Sequence, residues 1–131
     1  MNDHRRGQAL VEMAIVLPVL LIILLGIFDF GRAIYAFNTI SNSAREAARL
    51  AIVDQNAAAV TARAKEAALA LPPDELTVTF PAPSCNKIGC DVSVTVEYDW
   101  SAITPIIGNL VGQIGLSSTT SMPIERVYVS P

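Results

Sequence analysis

Residues 13–28 read MAIVLPVLLIILLGIF, and no charged side chain interrupts this run before Asp29. Extending the apolar stretch back to Ala9 gives about 20 residues, which as a helix rising about 1.5 Å per residue cross a hydrocarbon layer of about 30 Å. Pro18 is compatible with this assignment because a membrane helix can kink or satisfy the freed carbonyl in another way. The sequence therefore predicts a membrane-spanning helix.

A secretory signal peptide is the competing interpretation of this run. The apolar core of such a peptide is usually about 7–15 residues long and is followed by a small-x-small cleavage site. Here the run is longer, and Phe28-Asp29-Phe30 follows it, which is a poor cleavage site. These features favour a span that stays in the mature protein.

The charges at the two ends of the run predict its orientation. Arg5 and Arg6 precede it together with the amino terminus, whereas Arg32 alone lies close behind it and is offset by Asp29. The positive-inside rule then places the amino terminus in the cytoplasm. The predicted parts are a cytoplasmic leader, a transmembrane helix and an extracytoplasmic domain, at residues 1–7, 8–29 and 30–131.

The amino-acid composition argues against a soluble domain, a nucleic-acid-binding protein and an enzyme. Hydrophobic residues make up 52% of the 131 residues and charged residues only 16%, which is too apolar for an ordinary soluble domain. A net charge of −3 gives no electrostatic reason to expect a nucleic acid partner. With one histidine, His4, and two cysteines, the inventory predicts no metal site, no cofactor and no catalytic residues. We therefore expect that the protein is not an enzyme.

The entry to the span, residues 5–12, reads RRGQALVE. Glu12 lies about one turn inside the span, where its carboxylate either reaches back to water or has a partner, because an unpaired intramembrane charge is costly. The stretch resembles the class III signal of type IV pilin-like proteins, in which a basic leader ends in Gly and Glu is fifth in the mature chain. This resemblance implies that a prepilin peptidase cleaves between Gly7 and Gln8, and that Glu12 is the fifth mature residue and the carboxylate used in assembly. The new amine and the carboxylate of a staggered neighbour could then neutralise each other in a low-dielectric layer.

More of the chain resembles one branch of these proteins. Residues 6–32, RGQALVEMAIVLPVLLIILLGIFDFGR, and residues 44–49, AREAAR, are similar to the TadE-like family of tight-adherence pilus proteins. The layout of residues 92–98, 104–105 and 116–125 also resembles that family. The resemblance implies a minor pilin or pseudopilin of a Flp-type pilus in the inner membrane. The expected partners are the lipid bilayer, a prepilin peptidase, other pilin or pseudopilin subunits and the inner-membrane assembly platform.

Periodicity beyond the span predicts an α+β fold. The first helix continues as an amphipathic helix to about Val53, with its stripe at Ile34, Phe37, Ile40, Ala44, Ala47, Ala48 and Ala51. A second, short helix follows the break at residues 54–56 and covers Ala57–Leu71, since Pro72-Pro73 ends it. Three strands are predicted, at residues 76–80, at residues 92–98, and at residues 116–122 with 124–129, broken at Pro123. We expect them to form a small antiparallel sheet.

A short apolar segment separates the second and third strands. Thr104 can cap a helix there, and Pro105 suits its first position. The apolar face of residues 106–114 either forms a lid over the sheet or is exposed and touches the membrane or another subunit.

Cys85 and Cys90 are predicted to form a disulfide, the default state outside the cytoplasm. Closing so small a loop should contribute only roughly 2 kcal/mol.

Two functions of different classes fit these features. The first is a TadE-like minor pilin that is processed and assembled into, or with, a pilus. The alternative is a bitopic, membrane-anchored binding module that never polymerises. Cleavage after Gly7 distinguishes the two hypotheses.

Overall fold

The computed structural model describes residues 3–81 and 87–127. The helices are α1 (Asp3–Ala51), α2 (Ala57–Ala67) and α3 (Pro105–Val111), and the strands are β1 (Leu76–Thr79), β2 (Asp91–Ser101) and β3 (Gln113–Pro123). A 3-10 turn at Pro73–Glu75 precedes β1. The predicted α+β fold, with one long helix, one short helix and a three-stranded antiparallel sheet, is confirmed.

The 49 residues of α1 form one helix that passes through Pro18 without a break and is about 73 Å long. Its second half carries a buried stripe at Ala36, Ile40, Ser43, Ala44, Ala47, Ala48 and Ala51. The predicted stripe is confirmed from Ile40 onward but is wrong before it, since Ile34 and Phe37 are 47% and 46% exposed. Stepping back from Ile40 at helical spacing leads to Ala36, Ala33 and Asp29, so the face that meets the domain is lined by smaller residues than predicted.

Helix α2 packs against this stripe through small residues. Asn56, in the predicted break, caps its first turn, with its side-chain oxygen accepting from Ala58 N at 3.0 Å and from Ala59 N at 3.3 Å. The buried Ser43 hydroxyl donates to Ala64 O at 2.6 Å across the interface. The helix ends four residues before the predicted Leu71, because the chain leaves helical geometry and Ala70 adopts a φ of 66°.

The sheet has the order β1-β2-β3 and lies against α1 and α2. Alternate residues of β2 point into the core, and Val92, Val94 and Val96 are almost fully buried. On the other face the Thr95 and Thr119 hydroxyls lie 2.8 Å apart. The third strand begins three residues before the predicted Leu116, and residues 124–127 do not continue it.

Hydrogen bonds fix which end of the sheet lies near which part of α1. Glu125 N and Arg126 N both donate to Ile52 O at 3.0 Å, so the end of β3 and the start of β2 lie beside the end of α1. At the opposite end of the β2-β3 pair, Ser101 lies opposite Gln113, and α3 connects the two strands. The segment that enters α3 is hydrogen-bonded to Asp29, so this end of the sheet lies near Asp29. The base of the domain is therefore next to the apolar half of α1.

Candidate functional site

The first half of α1 has the surface of a membrane-spanning helix. Between Leu10 and Phe28 the large apolar side chains are all exposed, from 39% at Ile22 to 71% at Leu10. Among the described residues this is the one helix long and apolar enough to cross a membrane, and its apolar window has no buried residue. A helix that formed the core of a soluble domain would be largely covered by its own chain, so this surface requires another apolar environment.

The residues predicted for processing and assembly lie at the start of this exposed half. Gln8 Nε2 donates to Glu12 Oε1 at 3.3 Å, a contact between side chains four residues apart on one helix. A Cβ added at Gly7 would meet no heavy atom within 4 Å. The helix therefore brings Gln8 and Glu12 together, while the Gly7–Gln8 bond is uncovered by the rest of the domain. Cleavage at that bond stays a prediction.

Asp29 joins the apolar half of α1 to the folded domain. This carboxylate is only 4% exposed, and its two oxygens accept from Ile103 N and Thr104 N, each at 3.1 Å. Arg32 Nη1 lies 3.5 Å from Asp29 Oδ1. Charge-assisted hydrogen bonds of this kind hold the segment that enters α3 at a fixed height on α1. The main partners of Asp29 are backbone groups 74 and 75 residues away in the chain.

Helix α3 begins as the sequence predicted, with Thr104 at the N-cap and Pro105 in the first turn. It lies beside the end of the apolar run, since a Cβ added at Gly26 would approach Ile107 Cδ1 to 3.3 Å. Leu110 is 85% exposed and Ile103 is 71% exposed. Of the two predicted arrangements, the structure therefore supports an exposed apolar face and not a closed lid over the sheet.

A cleft of about 460 Å³ opens beside this junction. It is lined by Arg32, Tyr35, Glu75, Tyr98 and Trp100, among others. Burial raises the pKa of the Tyr98 hydroxyl, and the Glu75 carboxylate acts in the same direction. Within the described ranges no group of three or more histidine, cysteine or acidic side chains could hold a metal ion.

Ion pairs connect the exposed faces of α1 and α2. Glu46 accepts from Arg49 Nη1 at 3.2 Å and also from Arg63 Nη2 at 3.2 Å. The second pair crosses between the helices and could not be predicted from spacing within α1. Both pairs are exposed, so each contributes little to stability.

The predicted Cys85–Cys90 disulfide involves a residue outside the described part of the chain. Cys90 itself lies just before β2, where its N–H donates to Lys87 O at 3.2 Å and its carbonyl accepts from Ile124 N at 2.8 Å. Cys85 lies outside the described residues, so the pairing stays a prediction.

Residues 7–49 match the family model described as TadE-like protein. No curated protein and no solved structure matches the chain. The matched segment lies within α1 and runs from Gly7 to Arg49, two residues before the end of the helix.

Proposed function

We propose that the chain is a membrane-anchored minor pilin or pseudopilin of a Flp-type pilus, because residues 7–49 match the model of the TadE-like family, which is associated with Tad pili. In this proposal its role is structural or in assembly, and it catalyses no reaction. The observation that carries the proposal is the continuity of α1, which is apolar and exposed in one half and packed into the domain in the other. One rigid element thus serves as both the anchor and the spine of the subunit.

The chain is proposed to span the inner membrane once, with residues 1–7 in the cytoplasm and the domain outside. Arg5 and Arg6 favour this orientation because they are held at the anionic inner surface. The proposed partners are lipid, a prepilin peptidase, other pilin-like subunits and the assembly platform. Cleavage after Gly7 would remove both arginines and so release the helix from its strongest cytoplasmic tether.

Glu12 is proposed to act in assembly. In a bilayer its carboxylate lies inside the apolar layer, where a charge without a partner is costly. Cleavage frees the amine of Gln8, one turn away along the helix axis, and a staggered neighbour can offer that amine to Glu12. In the uncleaved chain the Gln8 side chain already contacts this carboxylate, at 3.3 Å.

The test of this proposal is the amino terminus of the membrane-extracted protein in cells with an active cognate peptidase. N-terminal sequencing or intact-mass measurement should give a chain that begins at Gln8. Gly7→Val should block processing, because a bulky side chain does not fit a narrow cleavage site. Gly31→Val is the matched control, since Gly31 also lies on α1 with open space at its Cβ and should not affect cleavage. An uncut chain in the unsubstituted protein would favour a membrane-anchored binding module.

Glu12→Ala tests the assembly role separately. Membrane insertion should be unchanged or improved, because removing a charge favours the span. The fraction of the protein that co-purifies with the pilus or its assembly platform should fall strongly. Met13→Ala changes a neighbouring exposed side chain and should leave co-purification unchanged. Normal assembly of the Glu12→Ala variant would contradict the proposed role of the carboxylate.

A further inference from the structure

An apolar surface surrounds α3 at the base of the domain. We call it the α3 surface and define it by Phe30, Ile103, Leu110, Val111 and Ile114, which are 68%, 71%, 85%, 47% and 38% exposed. The sequence contains no charged residue between Asp99 and Glu125, so no charge lies within α3 or its flanks. A contiguous exposed apolar patch of this kind marks a site of interaction with another apolar surface.

The height of the α3 surface along α1 is fixed by two contacts. Asp29 holds the backbone of Ile103 and Thr104, and Ile107 reaches back to Gly26. Gly26 lies three residues before Asp29, or about 4.5 Å further along the helix axis toward the apolar run. Helix α3 therefore does not lie above the end of the proposed span but beside its last turn.

We propose that α3 is an interfacial helix whose exposed apolar side chains lie in the outer leaflet of the bilayer that α1 spans. The occupant is lipid because the α3 surface is continuous with the lipid-facing side chains of α1: Phe30 belongs to both, and a crevice lined by Gly26, Phe30, Ile107 and Val111 joins them. Interfacial helices lie in the plane of the membrane with their apolar face in the acyl boundary.

This arrangement gives the domain a second point of attachment to the membrane. A single helix leaves the domain to rotate about the axis of α1, whereas contact through α3 holds one side of it against the bilayer. Extraction of the subunit from the membrane then has to remove the α3 surface from lipid as well as the span. The inference rests on the proposed span but not on any role in a pilus.

Quenching of tryptophan emission by brominated phospholipid tests the inference in the full chain. Trp100 is the single tryptophan, so Trp100→Phe gives a background in which one new probe is placed at a time. In vesicles of phosphatidylglycerol and brominated phosphatidylcholine, Leu110→Trp should lose about half or more of the emission seen without bromine, since interfacial helices bury their apolar face roughly 5–10 Å deep. Ile88→Trp is the matched control, because Ile88 is 73% exposed at the far end of the domain and should keep its emission. Leu20→Trp, within the span, should be quenched.

Each result supports or overturns the inference. Quenching at positions 20 and 110 but not at 88 supports it. Quenching at position 20 alone overturns it, and so does an unquenched but blue-shifted emission at 110, which would show that another protein copy covers the α3 surface. No quenching at position 20 or 110 overturns the span and this inference together. A chain that is not cleaved after Gly7 would contradict the pilin role but would not change the interpretation of the quenching at positions 20, 88 and 110.

The unsubstituted protein provides a second measurement that does not depend on the folding of a variant. A phospholipid with a photoreactive group in its acyl chain should label peptides that contain residues 103–111. It should not label residues 87–90, which include the exposed Ile88. Labelling of neither segment, with labelling of the span, would overturn the inference.

Discussion

The two halves of α1 differ in both composition and surroundings: the first is apolar almost throughout, whereas the second carries polar and charged side chains on the face turned away from the domain. From Leu10 to Phe28 the side chains are large, aliphatic and exposed, whereas from Ala36 to Ala51 the inward side chains are mostly alanine and fully buried. A helix that is apolar all round its circumference is typical of a membrane span when its own chain does not cover it. Alanines on one face instead let α2 and the sheet approach the helix closely, at distances that depend on the side chains at the contact. The anchor is therefore apolar all round with large side chains, whereas the spine is apolar on one face only and lines that face with small side chains.

The largest expected effect comes from one isoleucine substitution placed in each half. Ile40 is fully buried, so Ile40→Ala should lower the free energy of unfolding of the domain by about 2–5 kcal/mol through lost burial and a cavity. Ile23 is 55% exposed in the apolar half, so Ile23→Ala should leave that free energy unchanged. Urea unfolding in detergent, followed by the emission of the buried Trp100, measures both. Equal losses for the two variants would contradict the division of α1 into an anchor and a spine.

Sequence patterns predicted this division in outline but not in detail. The uninterrupted apolar run of α1 and the strict alternation of β2 are patterns within one short stretch of chain, so they can be recognised without knowing the tertiary contacts. Helix α1 and strand β2 both lie where these patterns predicted them. Ile34 and Phe37 were misplaced because the apolar residues of α1 cover more than one face, and only the partner helix and sheet select which face is buried. Helix α2 was predicted too long because alanines continue past Ala67, whereas the turn at Ala70 leaves helical geometry.

The junction at Asp29 could not be predicted from the sequence. Its partners are backbone N–H groups, which every residue except proline carries and which therefore leave no signature in the residue pattern. The apolar face of residues 106–114 was recognised, but its position beside Gly26 depends on the Asp29 contacts and on the register of β2 with β3. The predicted roles of Gly7 and Glu12 have a different basis, since they come from spacing in the chain and from the resemblance to pilin-like signals.

Substitution of Asp29 tests the junction between the two halves. Asp29→Ala leaves the N–H groups of Ile103 and Thr104 without their acceptor, which should cost up to about 3 kcal/mol locally. Hydrogen exchange at those two amides should become faster by a corresponding factor, while exchange in β2 changes little. Asp29→Asn keeps one acceptor oxygen and should have a smaller effect. Unchanged exchange at Ile103 and Thr104 in the alanine variant would contradict the role of Asp29 in holding α3.

The smallest expected effect lies on the outward face of the spine. Glu46 accepts from Arg49 and Arg63, so Glu46→Gln removes both ion pairs. Because these side chains are exposed, the free energy of unfolding should fall by only about 0.2–1 kcal/mol, and by less at high salt. If Glu46→Gln lowered the free energy of unfolding as much as Ile40→Ala, the face that carries Glu46 would have to be buried against another molecule.

Arg45 is the matched control for that face. It is exposed on the same stretch of α1 and has no ion pair within residues 3–81 and 87–127, so Arg45→Gln should leave the free energy of unfolding unchanged. The same variant then separates stability from assembly. If Arg45→Gln unfolds normally but co-purifies less with other pilus subunits, the outward face of the spine contacts a neighbour. If stability and co-purification are both unchanged, the charge of Arg45 serves only to keep this face solvated, and Glu12 remains the proposed site of subunit contact.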